Sequence, residues 1–76
     1  MKEITIYSNT GCSKCAMLKR WLSMMELDYN ELNISNDSNA RDELIQSGRR
    51  SLPQVKIDNE FIDYNEYNDI ADILGE

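Results

Sequence analysis

Two cysteines separated by two residues, in Gly11-Cys12-Ser13-Lys14-Cys15, constrain this chain more than any other feature. A pair at this spacing can close a small disulfide loop. An apolar run lies just before it and a helix-like pattern just after, so the first sulfur sits where a helix begins. There the unpaired backbone N–H groups and the positive end of the helix dipole favour a thiolate over a thiol. The thiolate is the species that attacks disulfides, so the stretch reads as a redox site.

Length and composition set the frame around that site. A chain of 76 residues has room for one modest core, which predicts a single domain over 1–76. With 41% hydrophobic and 29% charged residues, that domain is expected to be globular rather than disordered. No stretch approaches the roughly 18 consecutive apolar residues of a membrane span. The first seven residues, Met1 to Tyr7, contain no apolar core of a secretory leader, so no signal peptide is expected and the cytoplasm is the expected compartment. In that reducing setting a cysteine pair is more readily catalytic or metal-binding than a structural staple.

The net charge of −6 is unevenly spread: residues 1–25 carry +3 and residues 26–76 carry −9. From Asp58 onward there are seven acids and no base. Such a surface repels nucleic acid and anionic lipid, which sets both aside as partners. The acidic end reads as a solvated helix face that aids solubility.

Hydrophobic periodicity then orders the chain. Ile4 and Ile6 alternate with polar neighbours over 2–7 and predict a strand, followed by turn chemistry in Ser8-Asn9-Thr10-Gly11. Cys15, Leu18, Leu22 and Met25 recur at helical spacing over 13–25. Met17, Trp21 and Met24 form a second stripe, predicting a helix buried on a wide face with Lys19, Arg20 and Ser23 left to water. A weaker strand signal covers 28–34. A helix is expected over 37–47, with Ala40 and Leu44 inward, Ile45 beside them, and Gly48 closing it. After a loop through Arg49, Arg50 and Pro53, strands at 54–57 and 60–62 are joined by Asp58-Asn59, residue types that tolerate a tight hairpin. Asn65 is the expected cap of a last helix that turns Tyr67, Ile70, Ala71 and Leu74 inward and ends at Gly75. The order βαβαββα implies a parallel βαβ unit with a right-handed crossover and a closing antiparallel hairpin. The expected α/β fold is a four-stranded mixed sheet with helices on both faces, a thioredoxin-like architecture.

With these pieces in view the chain resembles the glutaredoxin family over nearly its whole length. The resemblance is carried by Ile4-Thr5-Ile6-Tyr7-Ser8, by Gly11-Cys12-Ser13-Lys14-Cys15 with Lys19 four residues on, by Ser51-Leu52-Pro53-Gln54-Val55 and by Ile62-Asp63-Tyr64-Asn65. It is nearest to the short glutaredoxin-like redoxins, including those that supply electrons to ribonucleotide reductase. The resemblance implies a thiol–disulfide oxidoreductase in which Cys12 attacks a protein disulfide and Cys15 resolves the mixed disulfide. Lys14 and Lys19 are the implied cations that hold Cys12 as a thiolate. It also implies that Pro53 is cis beside the cysteines, that Leu52 offers its backbone to an extended peptide or glutathione, and that Lys14, Tyr7, Asp63 and Tyr64 line the substrate site.

Two departures bear on the electron source. Many glutaredoxins place Pro-Tyr between the cysteines, where this chain has Ser13-Lys14. They also often place a glycine before the last helix, where this chain has Asp63-Tyr64-Asn65. The missing glycine limits close approach of a γ-glutamyl carboxylate and an acidic Asp63 repels it, while Arg49 or Arg50 offers a guanidinium that pairs with it. The reductant is therefore either glutathione or a thioredoxin reductase, and the departures favour the second. Nor do residues 61–65 match the Trp-Ser-Gly-Phe-Arg-like stretch of the dedicated ribonucleotide-reductase redoxins. The expected protein is a monomer that binds no organic cofactor or metal. A second reading is a glutathione-assisted iron–sulfur cluster or metal-binding module, since two cysteines without a histidine fill a four-ligand site only with outside thiolates. A third is a non-catalytic interaction domain, against which both cysteines stand.

Overall fold

The β-branched alternation at the start of the chain becomes β1 (Ile4–Ser8), an inner strand of the computed structural model, which describes residues 2–75. Met1 and Glu76, the ends of the domain expected over 1–76, lie outside the described residues. α1 (Ser13–Met24), β2 (Asn30–Asn33), α2 (Ser38–Gln46), β3 (Gln54–Ile57), β4 (Glu60–Ile62) and α3 (Tyr67–Leu74) follow in the expected order. The sheet runs β2-β1-β3-β4. β2 is parallel to β1, with Ile6 opposite Glu31, and β3 is antiparallel to β1, with Tyr7 opposite Gln54. β4 pairs antiparallel with β3 through a turn at Asp58 and Asn59. Both turn residues have positive φ, 52° and 69°, as a tight right-twisting hairpin requires.

Strand alternation sends the core to two faces. Ile4, Ile6, Val55 and Ile57 point to one side, where they meet Leu18 and Leu22 of α1 and Ile70 of α3. Tyr7 points to the other side and packs with Ala40 and Leu44 of α2, supported by Leu32, Ile34, Leu52 and Phe61. Each fully buried aliphatic side chain in these layers stabilises the fold by about 1.5–3 kcal/mol relative to exposure. The mixed sheet with helices on both faces is the thioredoxin-like architecture that the element order implied.

Local chemistry sets the helix ends. Asp37 is the N-cap of α2 and accepts from the Ala40 N–H at 3.1 Å, and Gly48 beyond its end takes φ +81°. Gly75 likewise ends α3 in the left-handed conformation. The N-cap of α3 is Glu66 and not Asn65: Glu66 and Asp69 form a reciprocal capping box, and the Asn65 N–H instead donates to Asp69 Oδ2 at 2.9 Å. These donors hold the Asp69 carboxyl below its usual range.

Burial differs from expectation on the helix surfaces. Met17 and Met24 are 60% and 74% exposed, so the buried face of α1 is the narrower stripe Cys15-Leu18-Leu22. Of the second stripe only Trp21 is half-buried, its ring 5.4 Å from that of Tyr67. Met25, placed in the first stripe, is also exposed, as the C-cap residue beyond the last turn. Ile45 is 63% exposed, because one residue beyond Leu44 the helix has rotated about 100° off the sheet-facing line. A chain this short has no outer layer to cover a second stripe.

Candidate active site

The turn after β1 delivers Cys12 to the start of α1. Gly11 takes φ +79°, and the Cys12 N–H donates to the Asn9 carbonyl at 3.3 Å. Cys12 is itself the N-cap residue: its backbone is extended and its Sγ accepts from the Cys15 N–H at 3.1 Å. The sulfur thus occupies the place of a capping oxygen, where a first-turn N–H and the helix dipole both meet negative charge. Cys12 and Cys15 are joined as a disulfide with their Cα atoms 5.2 Å apart. Cys12 remains half-exposed while Cys15 is buried at 1% exposure. An attacking molecule reaches the first sulfur and not the second.

The preceding turn is clamped by residues that carry no distinctive motif in the sequence. Asn9 Oδ1 accepts from the Thr10 N–H at 2.9 Å and from the Ser35 hydroxyl, and the Asn33 amide donates to Thr10 Oγ1 at 3.3 Å. Their only signal is the pair of Asx-rich runs 8–11 and 33–36, which the parallel pairing of β1 with β2 brings together.

On one side of the helix start lies a groove of about 670 Å3, a size common for small-ligand sites. Lys14 and Met17 of α1, Leu52 and Pro53 of the loop before β3, Tyr64 of the loop after β4 and Tyr67 at the start of α3 line it. The Leu52–Pro53 bond is cis, as the resemblance implied. Because Tyr7 pairs with Gln54 across antiparallel strands, Pro53 lies at the sheet end from which β1 leads to Cys12. Burial and the neighbouring Tyr67 push the Tyr64 phenol above its usual range, so it lines the groove as a neutral ring with a donor.

Two expected site residues sit elsewhere, and a third, Lys19, lies beside Cys12 but is paired with a carboxylate. Tyr7 is buried at 1% exposure on the α2 side of the sheet, with its hydroxyl on Glu43 and its ring 5.3 Å from that of Phe61. Strand alternation puts it opposite the face that carries α1, so it supports Leu52 from within the core and does not line the groove. Burial raises its phenol, while Lys56 and Tyr7 together hold the Glu43 carboxyl low. Asp63 has a 90% exposed side chain that turns to Arg49, 2.7 Å away, and is not part of the groove lining. Lys19 donates to Glu31 Oε2 at 2.8 Å, and the same oxygen accepts from the Ser8 hydroxyl at 2.7 Å. Lys19 is thus only half-exposed, its ammonium held above its usual range by Glu31. Glu31, Lys19 and Cys12 line one shallow groove on the β2 side of the helix start.

The loop before β3 has its own brace, centred on Gln54, another residue without a distinctive sequence signal. Gln54 is buried; its amide donates to the Ser51 carbonyl at 2.8 Å and to Ser51 Oγ at 3.0 Å, and its oxygen accepts from Arg49 at 3.2 Å. Arg49 is further engaged by Asp63 and lies 5.1 Å over the Phe61 ring, whereas Arg50 is exposed. The half-buried guanidinium expected to receive a ligand carboxylate is therefore occupied within the protein.

Comparison with known proteins agrees with this geometry. The glutaredoxin family model matches residues 4–62. The glutaredoxin-like protein NrdH of Lactococcus lactis subsp. cremoris is 36% identical over 55 residues, 72% of this chain and 76% of that protein. Glutaredoxin 3 of Escherichia coli K12 is 35% identical over 63 residues, 82% of this chain and 76% of that protein. Among solved structures, the glutaredoxin-like NrdH-redoxin of Escherichia coli, described by its thioredoxin-like activity profile, superposes with a TM-score of 0.81 at 25% identity, over 93% of each chain.

Proposed function

We propose a dithiol electron carrier for protein disulfides, from the premise that the chain belongs to the glutaredoxin family and is a thiol–disulfide oxidoreductase. The observation that carries this reading is the unequal burial of the two joined sulfurs, Cys12 half-exposed at the helix cap and Cys15 beneath it. The cycle begins from the reduced pair. The Cys12 thiolate attacks one sulfur of a substrate disulfide, forming a mixed disulfide and expelling the other substrate sulfur as a thiolate, which takes up a proton. Cys15 then loses its proton and attacks Cys12 Sγ; the Cys12–Cys15 bond forms and the second substrate sulfur leaves as a thiol. The substrate has gained two electrons and two protons, and the enzyme disulfide awaits an external reductant.

In this reading the substrate segment lies in the groove between Lys14, Leu52 and Tyr64, extended along the Leu52 backbone in the manner of an added strand. No organic cofactor or metal enters the cycle, the acting species is a monomer, and its place is the cytoplasm. The reductant we favour is a thioredoxin reductase rather than glutathione. Two observations support this choice: Tyr64, from the stretch where many glutaredoxins have a glycine, lines the groove with its ring, and Arg49 is engaged by Asp63 and Gln54. The thioredoxin-like profile of the Escherichia coli NrdH-redoxin points the same way. Ribonucleotide reductase is the first client to try.

The test is turnover of a model disulfide in two arms, one with NADPH, glutathione reductase and glutathione, the other with NADPH and a thioredoxin reductase. The reading expects faster turnover in the second arm. Turnover confined to the first makes glutathione the reductant, and turnover in neither refutes the electron-carrier proposal.

A further inference from the structure

We propose that Glu31 is a positioning residue that sets the reactivity of Cys12 by holding the ammonium of Lys19. The inference rests on Cys12 being the attacking sulfur and extends that reading to what tunes it. Lys19 follows Cys12 by seven residues, two helical turns, so the two lie on nearly the same face of α1 about 10 Å apart along its axis. Side chains on a helix lean toward its N-terminus, which aims Lys19 at the Cys12 end. Unpaired, that cation stabilises the thiolate. In the structure it is paired: Glu31 reaches it from β2 at 2.8 Å, and the buried Ser8 hydroxyl anchors the same carboxylate oxygen at 2.7 Å.

The anchoring by Ser8 makes Glu31 more than a chance surface partner. Ser8 is the last residue of β1, four positions before Cys12, so the acceptor of the Lys19 charge is fixed to the strand that delivers the nucleophile. Glu31 and Lys19 line the same groove as Cys12, which therefore faces a neutral pair instead of a lone cation. The other charges near the helix start are Lys14, on the opposite rim, and Glu66, which lines Lys14's groove from the start of α3; Asp63 and Arg49 neutralise each other. Lys14 is thus the local cation that no carboxylate holds within salt-bridge distance among the described residues.

The experiment is the pH profile of Cys12 alkylation by iodoacetamide in the fully reduced protein, with the modified cysteine identified by mass spectrometry. The thiolate displaces iodide and a carbon–sulfur bond forms, so the rate follows the ionised fraction. Glu31→Gln is expected to lower the Cys12 midpoint by roughly half to one pH unit, and Lys19→Met to raise it by a similar amount. The double variant is expected to return close to the starting midpoint, and high salt to shrink both shifts. A purely structural role moves both single variants in the same direction. An unchanged or raised midpoint in Glu31→Gln overturns the proposal, as does a double variant that does not return. If Glu31→Gln does not fold, judged by its urea transition, Lys19→Met decides alone: an unmoved or lowered midpoint overturns it. Fast alkylation of Cys15 in place of Cys12 refutes instead the assignment of the nucleophile.

Discussion

Gln54→Leu tests whether the loop that presents Leu52 depends on a single buried amide. The side chain is 8% exposed and makes three hydrogen bonds, two to Ser51 and one from Arg49. Ser51 is exposed, so its hydroxyl exchanges the lost bond for water at little cost. The Ser51 carbonyl and the Arg49 guanidinium lose bonds worth about 1 kcal/mol each, the second assisted by charge. Leucine has nearly the same volume and gains up to about 1 kcal/mol of apolar burial in return. The net loss is then about 1–2 kcal/mol, a fall in Tm of roughly 5–15 °C for a domain of this size. Because Cys12 and its helix cap are untouched, kcat on a small disulfide is expected to stay within about twofold, while KM for a protein disulfide rises several-fold. Thermal unfolding of the oxidised protein and paired kinetics on the two substrates read these quantities. An unchanged Tm with an unchanged protein KM refutes the brace; a fall in kcat on the small disulfide shows that Gln54 acts on the cysteines themselves.

Four other substitutions separate the roles of the cysteines and the residues around them. Cys12→Ser is expected to abolish disulfide reduction, and Cys15→Ser to accumulate a mixed disulfide visible on non-reducing gels; full turnover of protein disulfides by Cys15→Ser refutes the dithiol cycle. Glu43 accepts from Tyr7 and Lys56, and its carboxyl is held below the usual range by Lys56 first and Tyr7 second. A depressed folded-state pKa gives stability that is present above the unfolded value of about 4.3 and lost as pH falls through the folded one. Glu43→Gln is thus expected to be less stable than the parent at pH 7, by about 0.5–1.5 kcal/mol for this half-exposed group, with the gap closing as pH falls below the usual carboxylate range; a gap that persists in urea midpoints at acid pH assigns the loss to packing. Asp63→Gly removes the carboxylate that holds Arg49 and is expected to raise glutathione-linked turnover several-fold; no change places the barrier at Tyr64.

Patterns local in the chain are legible in the residues themselves. Periodicity of two and of 3.6 locates all seven elements within a few residues, because apolar side chains must reach the same side of a strand or helix to be buried together. The spacing of Cys12 and Cys15 identifies the reactive pair, since helix geometry alone brings residues three apart within disulfide reach. Only the tertiary structure decides which neighbours serve that pair. Tyr7 goes into the core because its place in β1 points it to the α2 face, a choice made by the packing of α1 on the other side. Lys19 of α1 meets Glu31 of β2, and Arg49 meets Asp63 beyond β4 and Gln54 of β3, across separations of 12, 14 and five positions along the chain. A charge carries no pattern along the chain that names its partner: the pairing follows from proximity in three dimensions, and proximity follows from the register of the sheet.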